Sequence, residues 1–224
     1  MKAATQDVVV TQESNPSFTI TAPPPVTLKS SGATTINLCQ ELQASGISAK
    51  GNDGNVPSNV LDNSLSTRWS NLGKGSWITM DLGQSKAVCN VDIAWYKGNE
   101  RSSNFVISVS IDGVVFKDVY EGKSTGKTTQ PERYEFADSI ARYIKVTVNG
   151  NSQNNWASIT EIDAAGYVSL GLPTVSGTSD TSPLIYNNVP ADGLPAGTTI
   201  LSWTAVDAAG NMTYATQEVK IANS

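Results

Sequence analysis

The chain contains no histidine, only two cysteines, and charged residues at just 16% of its 224 positions. Without histidine there is no Ser-His-Asp or Cys-His hydrolytic machinery and no imidazole-ligated zinc. Two thiols cannot build a four-thiolate metal site. Cations are outnumbered, 15 Lys and Arg against 20 Asp and Glu, and the net charge of −5 argues against nucleic acid as a partner. No apolar run approaches the ~20 residues of a membrane-spanning helix, so membrane insertion is not expected. Residues Met1 to Gln6 carry no signal-peptide apolar core, and any export signal is expected to lie outside these residues.

What is abundant are turn formers, 18 glycines and 10 prolines among many Ser, Thr and Asn, and short β-branched runs. Ile78-Thr79-Met80, Val91-Asp92-Ile93, Phe105 to Ile111, Tyr143 to Val148, Ile200 to Trp203 and Val219 to Ile221 read as strands. Asp112-Gly113, between Val109/Ile111 and Val115/Phe116, reads as a tight hairpin turn. A short turn is expected near Asn59 to Leu65, and no amphipathic helix. The expected class is all-β.

Residues 1–10 align with 212–221, five of the ten positions being identical. The same terminal strand therefore occurs at both ends, as in a chain drawn from a repeat array. Near the C-terminus stand Pro195-Ala196-Gly197-Thr198-Thr199, Trp203-Thr204-Ala205 and Asp207-Ala208-Ala209-Gly210-Asn211. They resemble the second half of a hyalin-repeat (HYR) immunoglobulin-like domain. Ile20-Thr21-Ala22-Pro23 and Thr34-Thr35-Ile36-Asn37-Leu38 resemble its first half, and the pattern resumes at Leu170 to Ser176. Residues 15–38 and 168–224 are thus expected to form one discontinuous host, with 39–167 inserted and 1–14 a strand of a preceding repeat or a donor strand.

The insert contains Ser48 to Pro57, Asn59-Val60-Leu61-Asp62, Ser66-Thr67-Arg68-Trp69-Ser70 and Trp77 to Gly83. Ile93 to Gly98, Ala141-Arg142-Tyr143-Ile144 and Ile159-Thr160-Glu161-Ile162 follow. In this order they resemble the discoidin, or coagulation factor five/eight type C, family, and within it carbohydrate-binding modules of family 32. The resemblance implies a jelly-roll β-sandwich of a kind common among lectins. It also places Trp69 and Trp77 in the core, and alternation with Val91 and Ile93 adds Trp95.

A sugar binder needs loops at one end of the sandwich that offer hydrogen bonds beside an aromatic ring. Loops 50–56, 68–75, 96–103 and 151–157 hold Asn52, Asp53, Arg68, Tyr96, Lys97, Glu100, Arg101, Asn155 and Trp156. Trp156, in a polar stretch, is either a stacking platform or a packed rim residue. Arg68 is either a ligand contact or the partner of a loop acid. Lys97 and Arg101 suit an anionic polymer, Glu100 and Asp53 an amino sugar.

The resemblance further implies a structural Ca²⁺, held by Asp62, Ser64, Thr67 and Glu161 with Asn59 as a carbonyl donor. Asn63-Ser64 stands where the family more often has Gly and then Asn or Asp. The alternative is a metal-free loop tied by Asp62 to backbone N–H groups. Cys39 and Cys89 either pair, as export would favour, or remain buried thiols; the family's better-known disulfide joins the domain's ends, which this pair does not.

The expected function is non-catalytic extracellular binding of a polysaccharide or glycan, with adhesion through several copies. The alternative is a filament or surface-layer subunit whose residues 1–10 add a strand to another copy of the chain. An enzyme is not expected, because nothing places two acids across a substrate cleft.

Overall fold

The computed structural model describes residues 18–30, 35–167, 169–190 and 192–223. The repeated strand at 1–10, and with it the expected donor-strand role, lies outside the described residues. The elements in order are β1 (Thr19–Thr21), β2 (Val26–Ser30), β3 (Thr35–Ile36), β4 (Cys39–Leu42) and β5 (Gly46–Ala49). A 3₁₀ turn (Pro57–Leu61) precedes β6 (Trp69–Leu72), β7 (Ser76–Trp95), β8 (Ser103–Ser110), β9 (Lys117–Lys123), β10 (Glu132–Asn151) and β11 (Trp156–Tyr167). Then come β12 (Thr174–Ser176), β13 (Leu184–Asn187), β14 (Leu194–Pro195), β15 (Gly197–Val206) and β16 (Met212–Asn223). No helix among the described residues is long and apolar enough to cross a membrane.

Two long bent strands organise the first sandwich. The first half of β7 pairs with β5 and with the second half of β10, which continues to β8 and β9. The second half of β7 pairs with the first half of β10 and with β11, which carries β4 and β6. Each long strand thus crosses from one sheet to the other, with register shifts at Glu135/Ser139 and Ala141/Tyr143 marking the corner. Between the sheets, Trp69, Ile78, Ile93, Trp95, Phe105, Ile107, Ile144, Val146 and Ile159 form a buried core. Strand alternation explains the selection: Phe105, Ile107 and Val109 point inward on β8.

Trp77 departs from expectation. Its neighbours Ile78 and Met80 are buried while Trp77 is only half-buried, since on a pleated strand the residue beside an inward one faces outward. The hairpin at Asp112-Gly113 is also wider than a two-residue turn, with β8 ending at Ser110 and β9 starting at Lys117. The Asp112 carboxylate accepts the N–H groups of Val114 and Val115 and the Ser110 hydroxyl, and so organises the longer loop.

A second core gathers Ile20 and Leu38 with Leu170, Ile185, Leu194, Leu201, Trp203, Val219 and Ile221. β1 pairs with β12, β2 lies parallel to β16, and β3 pairs with β14. The buried Gln217 side chain accepts the Trp203 indole N–H at 3.0 Å and donates to the carbonyls of Pro24 and Leu170 at 2.9 and 2.8 Å. Every hydrogen bond in that amide is used, so it fixes early and late chain against each other. A disulfide joins Cys39 on β4 to Cys89 on β7.

Candidate functional site

The four loops form a continuous rim. Asp53 N–H donates to the Ser70 carbonyl, Gly73 N–H to the Asn155 carbonyl, and Ser152 N–H to the Ser102 carbonyl. These bonds stitch 50–56 to 68–75, then to 151–157, then to 96–103.

At its centre, the Arg68 guanidinium lies over the Tyr96 ring, 4.2 Å from its centroid, and Arg101 stands 5.6 Å from the same centroid. The pair is held by cation–π attraction. Burial, together with the Arg68 charge, pushes the Arg101 guanidinium below its ordinary pKa, while Tyr96 and Glu100 oppose the shift. Among the described residues no carboxylate lies within ion-pairing distance of either arginine. The arginine forks are therefore uncommitted, an arrangement suited to an anion.

The acids on this rim are already engaged. Glu100 pairs with Lys97 at 3.2 Å, and the carboxylate of Asp53 accepts from Asn55 and the Ser70 hydroxyl. Those hydrogen bonds hold Asp53 below the ordinary carboxylate pKa against the opposing effect of burial. Asn52 caps its own turn by accepting the Gly54 N–H. Lys97 has φ 55°, a left-handed conformation that costs a non-glycine residue energy and recurs at binding sites.

Asn155 is exposed and Trp156 half-buried, its backbone clamped by Asn154 and Asn151. The Tyr96 ring is already partly covered by guanidinium, so Trp156 is the freer aromatic surface. Between these loops opens a shallow cavity of about 230 Å³, also lined by Leu65, Asn99 and Thr129. Those three were not anticipated. Asn99 lies within a loop already singled out, whereas Leu65 and Thr129 stand in segments with no motif to flag them.

The expected calcium residues converge beside this rim. The Thr67 hydroxyl donates to both oxygens of Asp62, at 2.9 and 2.7 Å, and Ser64 N–H donates to Asp62 at 3.0 Å and to Glu161 at 2.7 Å. Asn59 donates its side-chain amide to the Arg68 carbonyl, leaving only its backbone carbonyl for a cation. Glu161 is buried, and burial pushes its carboxyl up to about 7, with the neighbouring Asp62 raising it further. Asn63 has φ 57°, so Asn serves where the family more often has Gly, being the residue after glycine that best tolerates this region. Among the described residues no group of three or more Asp, Glu or Cys gathers. Even so, two adjoining carboxylates, a hydroxyl and backbone carbonyls form an all-oxygen donor set, which fits Ca²⁺ and its tolerance of mixed oxygen ligands.

Residues 43–162 match the F5/8 type C domain. The chain belongs to that family. Among solved structures, the F5/8 type C region is similar to the CBM32 of AlyQ in complex with 4,5-unsaturated mannuronic acid. Identity is 45%, covering 56% of this chain and 97% of that one, with a TM-score of 0.55. A pectin-binding carbohydrate-binding module is 32% identical, covering 55% of this chain and 91% of its own, with a TM-score of 0.53. A truncated AlyQ with CBM32 and alginate lyase domains is 29% identical, covering 76% of this chain and 54% of its own, at a TM-score of 0.57. No protein of curated function matches the chain. The first two structures are binding modules, and the similarity rests on the binding-module fold.

Proposed function

We propose that the loop rim of this F5/8 type C domain binds a uronate-bearing polysaccharide without cleaving it. The observation that carries the reading is the Arg68–Tyr96–Arg101 cluster, two guanidiniums on one ring with no carboxylate partner. A sugar carboxylate supplies the missing anion as a bidentate acceptor, and Trp156 supplies apolar area for a ring face. An amino sugar is disfavoured because Glu100 and Asp53 already have partners. Mannuronic acid and pectin, named in two of the similar structures, both carry carboxylates.

Catalysis is disfavoured by the same geometry. Asp62 and Glu161 stand in hydrogen-bonding contact, whereas glycoside hydrolysis needs its two carboxyls ~5–10 Å apart. Asp62, Thr67, Glu161 and the Asn59 and Ser64 oxygens would instead hold Ca²⁺, whose charge neutralises the buried Glu161 and fixes the loop preceding Arg68. Residues 15–38 and 168–224 serve as a hyalin-repeat-type host that spaces the binding domain, a reading supported by the core they share. The disulfide supports an extracellular setting. The filament alternative depends on residues 1–10, outside the described residues.

Calorimetric titration with oligogalacturonate and oligomannuronate tests the reading. Binding in the micromolar to millimolar range is expected, with Arg68→Ala and Arg101→Ala each weakening it about tenfold or more, as loss of a charge-assisted bond should. Unchanged affinity in the double variant, or new reducing ends in the product, refutes it. A chelator should lower the melting temperature, calcium should restore it, and Glu161→Gln should remove that response; a chelator without effect removes calcium from the account.

A further inference from the structure

Away from the loop rim, where the two cores meet, lies a larger cavity of about 280 Å³. Its walls come from both sides of the seam. The Cys39–Cys89 disulfide, Asn90, Asp138 and Tyr167 line it from the first sandwich, and Asn187 and Val189 from the end of β13. Asn90 is 6% exposed and Asn187 5%, yet each has one polar atom without a hydrogen-bond partner, Oδ1 of Asn90 and Nδ2 of Asn187. The orientation of Asn187 is set by Val189, whose N–H donates to Asn187 Oδ1 at 2.9 Å, which leaves Nδ2 as the unpaired donor. Asn90 Nδ2 meets the Cys39 sulfur at 3.2 Å, which leaves Oδ1 as the unpaired acceptor. Leaving such groups unpaired in a protein interior is costly, and native structures rarely do so without a ligand or ordered water.

We infer that this seam cavity is a second binding site, taking a neutral polyhydroxylated ligand of about hexose size, and distinct from the uronate-binding rim. The volume approaches the small end of ligand pockets, ~300 Å³, and exceeds by several-fold the ~30 Å³ of one water. A buried donor and a buried acceptor match hydroxyl groups, each of which both donates and accepts. Phe136 and the disulfide add apolar wall for C–H faces. Charge selects against acids. The Arg133 guanidinium is held bidentately by Asp92, both bonds at 3.0 Å, while Glu135 adds a carboxylate to the lining. No free cation among the lining residues would receive a uronate, whereas the rim offers two.

The test is a titration of the isotope-labelled full chain followed by backbone amide shifts, with D-glucose, D-galactose, myo-inositol and D-galacturonate as probes. At least one neutral probe is expected to shift the amides of Asn90, Ala137, Asn187 and Val189 with millimolar affinity, reasonable for so small a ligand, and galacturonate is not. Ala137 lines the cavity but is itself exposed, so Ala137→Trp should obstruct it without disturbing the core. That variant should weaken the neutral response about tenfold or more and leave oligogalacturonate binding at the rim intact. Arg68→Ala should do the reverse, so failure of either site is distinguishable from failure of the other. The inference is overturned if no neutral probe shifts the seam amides at about a hundred times millimolar excess over protein. It is equally overturned if shifts fall only at 96–103 and 151–157, or if Ala137→Trp leaves the seam response unchanged; the unpaired amides then face water alone.

Discussion

Asp138 shows what burial does to a single acid. It is 6% exposed, accepts the Tyr167 hydroxyl at 2.9 Å, and has its carboxyl pushed up to about 7 by burial, with Glu135 adding to the rise. A raised folded-state pKa means the folded chain holds this proton more tightly than the unfolded one. The associated stability is complete below the ordinary value of 3.8 and is lost as the pH rises through about 7. Asp138→Asn keeps an acceptor for Tyr167 and carries no charge. It should therefore stabilise the protein by roughly 2–4 kcal/mol at pH 8 and by almost nothing at pH 4. Chemical denaturation at the two pH values reads this directly, and equal effects at both would show that Asp138 is not the buried proton donor described here. None of this was visible in the sequence, where Asp138 stands in no motif and its burial depends on β13 folding back across the seam.

At the scale of elements, the turn from 96 to 102 depends on Gly98. A Cβ at this position would collide with the Thr128 carbonyl oxygen, and the Gly98 N–H closes the turn onto the Trp95 carbonyl at 2.9 Å. The turn that carries Tyr96 and Arg101 is thereby pressed against the segment that supplies Thr129 to the rim cavity. Gly98→Ala should separate these two elements, cost about 1–3 kcal/mol as overpacking does, and weaken uronate binding with the sandwich still folded. Wild-type affinity in a variant of unchanged stability would contradict this. Alternation revealed β8 correctly, because Phe105, Ile107 and Val109 share one face. It revealed β7 and β10 only as fragments. The segment from Gly83 to Lys86 breaks the periodicity where β7 bends between sheets, and Gly83 itself has φ 76°. In the same way the rim loops could be singled out from their residue types. The stacking of Arg68 on Tyr96 could not, since 28 intervening residues must fold before the two meet.

The whole molecule is joined along β7, whose pleat serves two interiors at once. Val88 and Val91 pack into the first core, whereas Ala87 and Cys89 pack into the second. β10 behaves alike, with Ala141 in one and Ile140 in the other. Strands shared in this way couple the stability of the two cores, because neither can lose its packing without exposing the back of the other's wall. The Cys39–Cys89 bond reinforces this at the seam by joining the strand where the chain enters the first sandwich to the strand both cores share. It closes a sequence separation of 50 residues, worth about 4 kcal/mol on the chain-entropy account. Cys39→Ser with Cys89→Ser should therefore lower the melting temperature of the entire chain, and calorimetry should still record one transition, displaced downward. Two transitions, one of them at the wild-type temperature, would mean that the cores melt independently and that the shared strands couple them far less than their packing implies.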